Sequence, residues 1–160
     1  VTENTFNAVN TNTCIRITGN QTPANHTISG NQFNTAKIGI AVNGNNVTIG
    51  PNNYAGSGTI GSALNMTGVD VSENISNVNV SGGFFITLDK GVNIKKLSRN
   101  IFVTGIIFSG NTGVFSQQGL GNLTVQNSSI RATLTGIQIN DHQTSGSTTS
   151  PANISTHLWR

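Results

Sequence analysis

One short pattern recurs along the whole chain and constrains its fold more than any other feature. Its clearest copy spans residues 27–33, where an apolar residue, two small or polar residues, Asn31, a polar residue and a large apolar residue follow one another. Six copies align on the Asn position, at Asn4, Asn31, Asn52, Gly83, Asn111 and Ser128. Neighbouring copies lie 17 to 31 residues apart, which is typical of a solenoid whose turns share one shape but differ in loop length.

The composition favours β structure with many tight turns. The 160 residues include 24 Asn and 19 Gly, and charged residues make up 8%, against about 25% in an average globular protein. Asn, Gly, Thr, Ser and the β-branched residues are all poor helix formers. The frequent Val, Ile and Phe argue against a disordered chain, which combines low hydrophobicity with high net charge.

Strands as short as these cannot bury an apolar face alone, but they can do so when they are wound into a coil. Each strand then lies over its equivalent in the previous turn, about 4.8 Å away. One predicted interior stack contains Val1, Ile28, Ile49, Val80, Phe108 and Val125, and a second contains Phe6, Phe33, Tyr54, Phe85 and Ile130. The recurring Asn is predicted to take the left-handed conformation at a bend and to hydrogen-bond to its equivalents.

These features predict an all-β fold, a parallel β-helix of about six turns in residues 1–141. Residues 142–160 are predicted to form a C-terminal loop and a final strand. Asp70 is expected in a loop, and residues 90–100 are expected to form a long loop or an extra strand outside the coil. Because the chain opens on Val1 inside a repeat copy, we expect it to be a fragment or a processed product.

The repeat resembles that of the right-handed parallel β-helix superfamily, which includes pectate-lyase-like enzymes and bacteriophage tailspikes. The strings that carry the resemblance are Ile28-Ser29-Gly30-Asn31-Gln32-Phe33, Ile49-Gly50-Pro51-Asn52-Asn53-Tyr54 and Phe108-Ser109-Gly110-Asn111-Thr112. Low charge, richness in Asn, Gly and Thr, and a single cysteine make tailspikes the more similar group. The resemblance implies a homotrimer on the virion tail that binds, and in many members cleaves, the surface polysaccharide of a bacterial host.

Candidate catalytic residues are sought among five acidic side chains. Glycoside hydrolysis needs two carboxylates about 5–9 Å apart, and adjacent turns of a β-helix supply such a spacing. Asp70, Glu73 and Asp89 form the best predicted cluster, although Asp70 can also be explained as a turn residue and Glu73 as a solvated loop charge. The sequence holds no Asp-rich cluster, so neither a metal site nor a cofactor is predicted.

Candidate substrate-binding residues are the concentrated basic residues and the one tryptophan. They are Lys90, Lys95, Lys96, Arg99 and Trp159. The basic residues could bind an acidic polysaccharide or simply lie in a solvated loop. Trp159 could stack on a sugar, pack in a C-terminal cap or contact another subunit. The eight Lys and Arg residues are too few to predict nucleic-acid binding, and no apolar run reaches the length of a membrane span.

Two other functions remain open at this level. A bacterial polysaccharide lyase or epimerase would share the fold, and so would a secreted, non-catalytic adhesin. An ice-binding face would need regularly spaced Thr, but the row that starts with Thr2, Thr27 and Thr48 is interrupted in later copies. Neighbouring residues in a strand point to opposite faces, so Asp141 and His142 are not expected to form a catalytic pair.

Overall fold

The computed structural model describes residues 1–7, 12–19, 26–57, 66–117 and 121–140, and the backbone of residues 155–156. The described residues form fifteen strands and no helix. The strands are β1 (Thr5–Asn7), β2 (Thr13–Gly19), β3 (His26–Ile28), β4 (Gln32–Asn34), β5 (Ile38–Gly44), β6 (Val47–Ile49), β7 (Asn53–Ala55), β8 (Thr67–Val71), β9 (Ser76–Ser81), β10 (Phe84–Ile94), β11 (Arg99–Thr104), β12 (Ile107–Ser116), β13 (Gly121–Gln126), β14 (Ser129–Ile139) and β15 (Ser155–Thr156).

The strands wind into a parallel solenoid of about five turns, close to the six that were predicted. Face 1 holds β1, β4 and β7 and the first parts of β10, β12 and β14, and face 2 holds β2, β5 and β8 and the second parts of those long strands. Face 3 is a separate six-stranded sheet of β3, β6, β9, β11, β13 and β15. Faces 1 and 2 belong to one sheet because β10 pairs with β7 through residues 84–86 and with β8 through residues 90–94.

Aliphatic stacks fill the interior behind faces 2 and 3. On face 2 the register stacks Val69, Val92 and Val114, all with no exposed surface. On face 3 the stack is Ile28, Ile49, Val80, Val103 and Val125. Alternation along each strand sends every second side chain into this core, so the short strands share one continuous apolar interior.

Aromatic rings fill the interior behind face 1. The centroids of the Phe6 and Phe33 rings are 5.1 Å apart, those of Phe33 and Tyr54 4.9 Å, and those of Tyr54 and Phe85 4.3 Å, with nearly parallel planes. Phe108 continues this stack, because it pairs with Phe85 below and Ile130 above. The prediction that Phe108 belongs with the face 3 stack was therefore wrong, and Val103 holds that position.

The recurring Asn forms the expected ladder in the first turns. The Asn31 side-chain amide donates to Asn52 Oδ1 at 3.0 Å, and Asn4 Nδ2 donates to Asn31 Oδ1 at 3.2 Å. Asn31 and Asn52 are almost fully buried, and their amide groups also bond backbone carbonyls near the bend. The left-handed residue, however, precedes the Asn, as at Gly30 (φ 68°), so the Asn acts through its side-chain hydrogen bonds.

The fifth copy of the repeat was aligned on the wrong residue. Ile106 holds the ladder position, because Ile107 pairs with Phe84 and the Ile106 backbone N–H donates to Ser128 Oγ at 3.3 Å. Asn111 lies at a different corner, between faces 1 and 2. Both corners favour Gly, Ser and Asn, so the short string around Asn111 imitates the repeat.

Residues 90–100 lie within the coil and do not leave it as a loop or extra strand. The β10 strand supplies face 2 through Ile94, a short turn follows, and β11 begins face 3 at Arg99. Asp70 is likewise a strand residue in β8, not a loop residue.

Because the described residues form no helix, none of them belongs to a helix long and apolar enough to cross a membrane.

Candidate functional site

The outer surface of face 2 brings together most of the predicted site residues. Its central row follows the strand register across the turns, and residues of this row point away from the core because their neighbours in sequence point into it. The row is Arg16, Ala41, Asp70, Asn93, Phe115 and Gln138.

Asp70 is held by two neighbours from the next turn. Asn93 Nδ2 donates to Asp70 Oδ1 at 2.6 Å, and Lys95 Nζ lies 3.0 Å from Asp70 Oδ2. The Asp70 side chain is 9% exposed and that of Lys95 35%. A buried carboxylate that is satisfied in this way holds two turns in register, and both of its oxygens are occupied.

The other two candidate carboxylates also pair with lysines. Glu73 Oε1 lies 3.7 Å from Lys96 Nζ, and about half of each side chain is exposed. Asp89 Oδ2 lies 2.8 Å from Lys90 Nζ, with about a third of each side chain exposed. The predicted acidic and basic clusters are thus largely partners of one another.

The strand register separates Asp70 from Asp89. Asp70 lies opposite Asn93, and Asp89 precedes Asn93 by four residues in β10, which corresponds to about 13 Å of extended strand. Asp89 is at the corner between faces 1 and 2, where Asn111 Nδ2 donates to its Oδ1 at 3.3 Å and Thr133 Oγ1 donates to Asn111 Oδ1 at 3.1 Å. These bonds make Asp89 the first member of a short corner ladder.

Phe115 is an outward-facing aromatic residue in this polar surface. Its neighbours in β12, Val114 and Ser116, are fully buried, whereas the Phe115 ring is partly exposed. Lys90 Nζ lies 5.7 Å from the centroid of the ring, within cation–π range. The ring stands between the amide side chains of Asn93 and Gln138 in the register of the sheet.

An open pocket of about 300 Å³ adjoins Phe115. The described residues that line it are Lys96, Phe115, Gln117 and Asn140. Gln138 Nε2 donates to Asn140 Oδ1 at 3.3 Å, which links the pocket to the central row. The described lining of the pocket therefore combines one aromatic ring, two amide groups and one ammonium group.

The remaining predicted site residues lie apart from this pocket or outside the described residues. Arg99 begins β11 on face 3, beyond the corner that follows Lys96, and its side chain is exposed. Trp159 and Asp141 lie outside the described residues.

Burial raises the pKa of the Cys14 thiol, which lowers its thiolate fraction and its reactivity.

Sequence reasoning missed Phe115, Gln117 and Asn140. The alternation of Val114, Phe115 and Ser116 contained a signal, since it points Phe115 outward once Val114 is assigned to the core.

Within the described part of the chain, no group of three or more His, Cys, Asp or Glu side chains could hold a metal ion.

The sequence matches no protein-family model, and no curated protein and no solved structure is significantly similar to it.

Proposed function

We propose that this chain binds a polysaccharide on the outer surface of face 2, with Phe115 as the central contact. The observation that carries the proposal is an outward-facing aromatic ring, flanked in register by Gln138, beside an open pocket that Gln117 and Asn140 also line. An aromatic face packs on the apolar face of a sugar ring, while side-chain amides donate to and accept from its hydroxyl groups. The pocket is open and continues into the outer surface of face 2, which suits a polymer more than a compact ligand.

A tailspike on a phage virion is the specific form of this proposal, and it rests on the resemblance of the repeat strings. Such a protein acts outside the cell, and the broader alternative is a secreted adhesin with the same binding face. The homotrimer rests on the same resemblance, and exposed apolar side chains on face 1 are consistent with self-association. Phe84 is 51% exposed, its register neighbour Ile107 is 43% exposed, and Ile86 is 39% exposed. Sedimentation equilibrium tests this part, and a monomer at all concentrations would contradict it.

The carboxylates favour binding over cleavage. Asp70 has both oxygens engaged by Asn93 and Lys95, and Asp89 is separated from it by about 13 Å of strand. Cleavage by Asp70, Glu73 and Asp89 remains a prediction with a direct readout. Wild-type protein is incubated with each polysaccharide it binds, and shortened products that disappear in Asp70→Asn or Asp89→Asn would establish an endoglycosidase or lyase.

The binding test compares two exposed phenylalanines on different faces. We expect Phe115→Ala to weaken binding to a bacterial surface polysaccharide by about tenfold, as measured by calorimetry, because stacking on the ring is lost. Phe102 is 44% exposed on face 3 and is the matched control, so Phe102→Ala should leave affinity within about twofold of wild type. Equal losses in both variants, or no binding of any polysaccharide in the panel, would defeat the proposal.

A further inference from the structure

The three lysines near face 2 are held with very different strength, and this difference bears on what the pocket can bind. Lys95 pairs at 3.0 Å with a carboxylate that is 9% exposed. Lys96 pairs at 3.7 Å with Glu73, and both side chains are about half exposed. Exposed ion pairs contribute little to stability, so a ligand can take Lys96 from Glu73 at little cost. Lys95 cannot leave Asp70 without stranding a buried charge.

Lys90 is also partly committed within the protein. Its ammonium group lies 2.8 Å from Asp89 and 5.7 Å from the centroid of the Phe115 ring. A ligand that stacks on Phe115 therefore meets a cation that is already neutralised by Asp89. Among the described residues, Lys96 is the basic residue that lines the pocket itself, and its partner Glu73 holds it weakly.

We propose that the pocket takes an acidic sugar unit. The sugar ring stacks on Phe115 and its carboxylate binds Lys96. The amides of Gln117 and Asn140 bind its hydroxyl groups. This inference rests on the proposed polysaccharide binding and narrows its ligand to polymers that contain uronic acids. A charge-assisted hydrogen bond is about twice as strong as a neutral one, so the carboxylate determines the choice between acidic and neutral sugars.

The test uses matched ligands that differ only in charge. Oligomers of galacturonate, glucuronate and mannuronate are titrated into the full chain beside the same oligomers after reduction of their carboxyl groups to alcohols. We expect at least one acidic oligomer to bind about tenfold more tightly than its reduced form. The advantage should fall as salt concentration rises, because the added contact is ionic.

Variants assign the effect to one residue. Lys96→Gln should abolish the preference for the acidic oligomer while leaving the affinity for the reduced form within about twofold. Lys37→Gln, an exposed lysine two turns away, should change neither affinity. Glu73→Gln should tighten binding of the acidic oligomer, because Lys96 then has no competing carboxylate.

Each result separates the inference from the function on which it rests. Equal affinity for the acidic and reduced oligomers, or equal losses for both in Lys96→Gln, overturns the acidic-sugar assignment and leaves polysaccharide binding intact. Binding of neutral bacterial polysaccharides alone overturns the assignment in the same way. If no acidic oligomer and no bacterial polysaccharide binds, both proposals fail.

Discussion

Leu97 holds a left-handed backbone conformation (φ 62°) while its side chain is 43% exposed. At the same corner one turn earlier stands Asn74 (φ 60°), whose N–H donates to the carbonyl of Lys96. The left-handed conformation costs about 1–2 kcal/mol for residues other than Gly, Asn and Asp. We therefore expect Leu97→Asn to raise the free energy of unfolding by about 1 kcal/mol in urea denaturation.

The control for this substitution is a second exposed leucine. Leu134 is 73% exposed and does not have a positive φ, so Leu134→Asn removes a similar apolar surface without relieving the backbone. We expect no increase in stability from it. An equal gain in both variants would show that lost apolar exposure, and not backbone conformation, explains the effect.

At the scale of the strands, a row of glycines runs beside the aromatic stack. It consists of Gly39, Gly68, Gly91, Gly113 and Gly136. A Cβ on Gly68 would lie 2.6 Å from Phe85 Cδ1 and 2.8 Å from the carbonyl oxygen of Gly91, whereas a Cβ on Gly136 would have its nearest contact at 3.8 Å. Gly68→Ala should lower the free energy of unfolding by about 2–3 kcal/mol, because neither the packed ring nor the backbone has room to shift.

Gly136→Ala is the matched control within the same row. We expect it to be neutral, or stabilising by about 0.5 kcal/mol, because alanine restricts the unfolded chain and its Cβ would make only an ordinary van der Waals contact, with Ile130 at 3.8 Å. Both values come from thermal or urea unfolding followed by circular dichroism. If Gly136→Ala costs as much as Gly68→Ala, the row is required for backbone flexibility and not for the rings.

A second Asn ladder runs along the corner between faces 2 and 3, on the outside of the coil. It contains Asn46, Asn77, Asn100 and Asn122, whose φ values lie between 48° and 59°. Asn77 Nδ2 donates to Asn46 Oδ1 at 2.9 Å, and Asn100 Nδ2 donates to Asn77 Oδ1 at 3.1 Å. This ladder combines the two roles that were predicted for the interior one, namely a left-handed backbone and side-chain hydrogen bonds.

Two substitutions at Asn77 separate those roles. Asn77→Gly keeps the left-handed conformation and loses both ladder hydrogen bonds, while Asn77→Ala loses both features. We expect the Ala variant to be less stable than the Gly variant by about 1 kcal/mol, measured by urea denaturation. The reverse order would mean that the backbone conformation at this corner costs little.

The sequence predicted the solenoid but misaligned one turn, and the reason is local. All corners of a turn favour Gly, Asn and Ser, so the string around Asn111 looks like a ladder position although it lies at another corner. The strands of face 3 carry a less ambiguous repeat, in which Asn precedes two apolar residues separated by one position. Its copies are Asn46-Val47-Thr48-Ile49, Asn77-Val78-Asn79-Val80, Asn100-Ile101-Phe102-Val103 and Asn122-Leu123-Thr124-Val125.

The candidate site was harder to predict than the fold because its parts come from different turns. Asp70 and Lys95 are 25 positions apart in the chain, and only the register between β8 and β10 brings them within 3.0 Å of each other. Likewise, the outward orientation of Phe115 can be recognised only after this part of its strand has been assigned to face 2. Composition correctly suggested a surface of few charges, but it could not tell which charges are paired.

For the whole molecule, contacts between strands run mainly from one turn to the next. β8 pairs with β5 and β10, and β10 pairs in turn with β12, so each turn is stabilised by its two neighbours. The stability of such a chain is approximately a sum of turn terms and nearest-neighbour terms. Subglobal opening of part of the coil is therefore expected below the free energy of global unfolding.

Hydrogen exchange on two core variants tests this expectation. Val92 lies at the fully buried centre of face 2, and Val92→Ala should lower the free energy of unfolding by about 2 kcal/mol. It should speed amide exchange in β8, β10 and β12 by about tenfold or more, while exchange in β2 changes less. Ile17→Ala in β2 is the reciprocal variant and should affect β2 and β5 more than β12. If both variants instead speed amide exchange equally in all strands, every protected amide exchanges through the same global unfolding. The solenoid would then open as one cooperative unit.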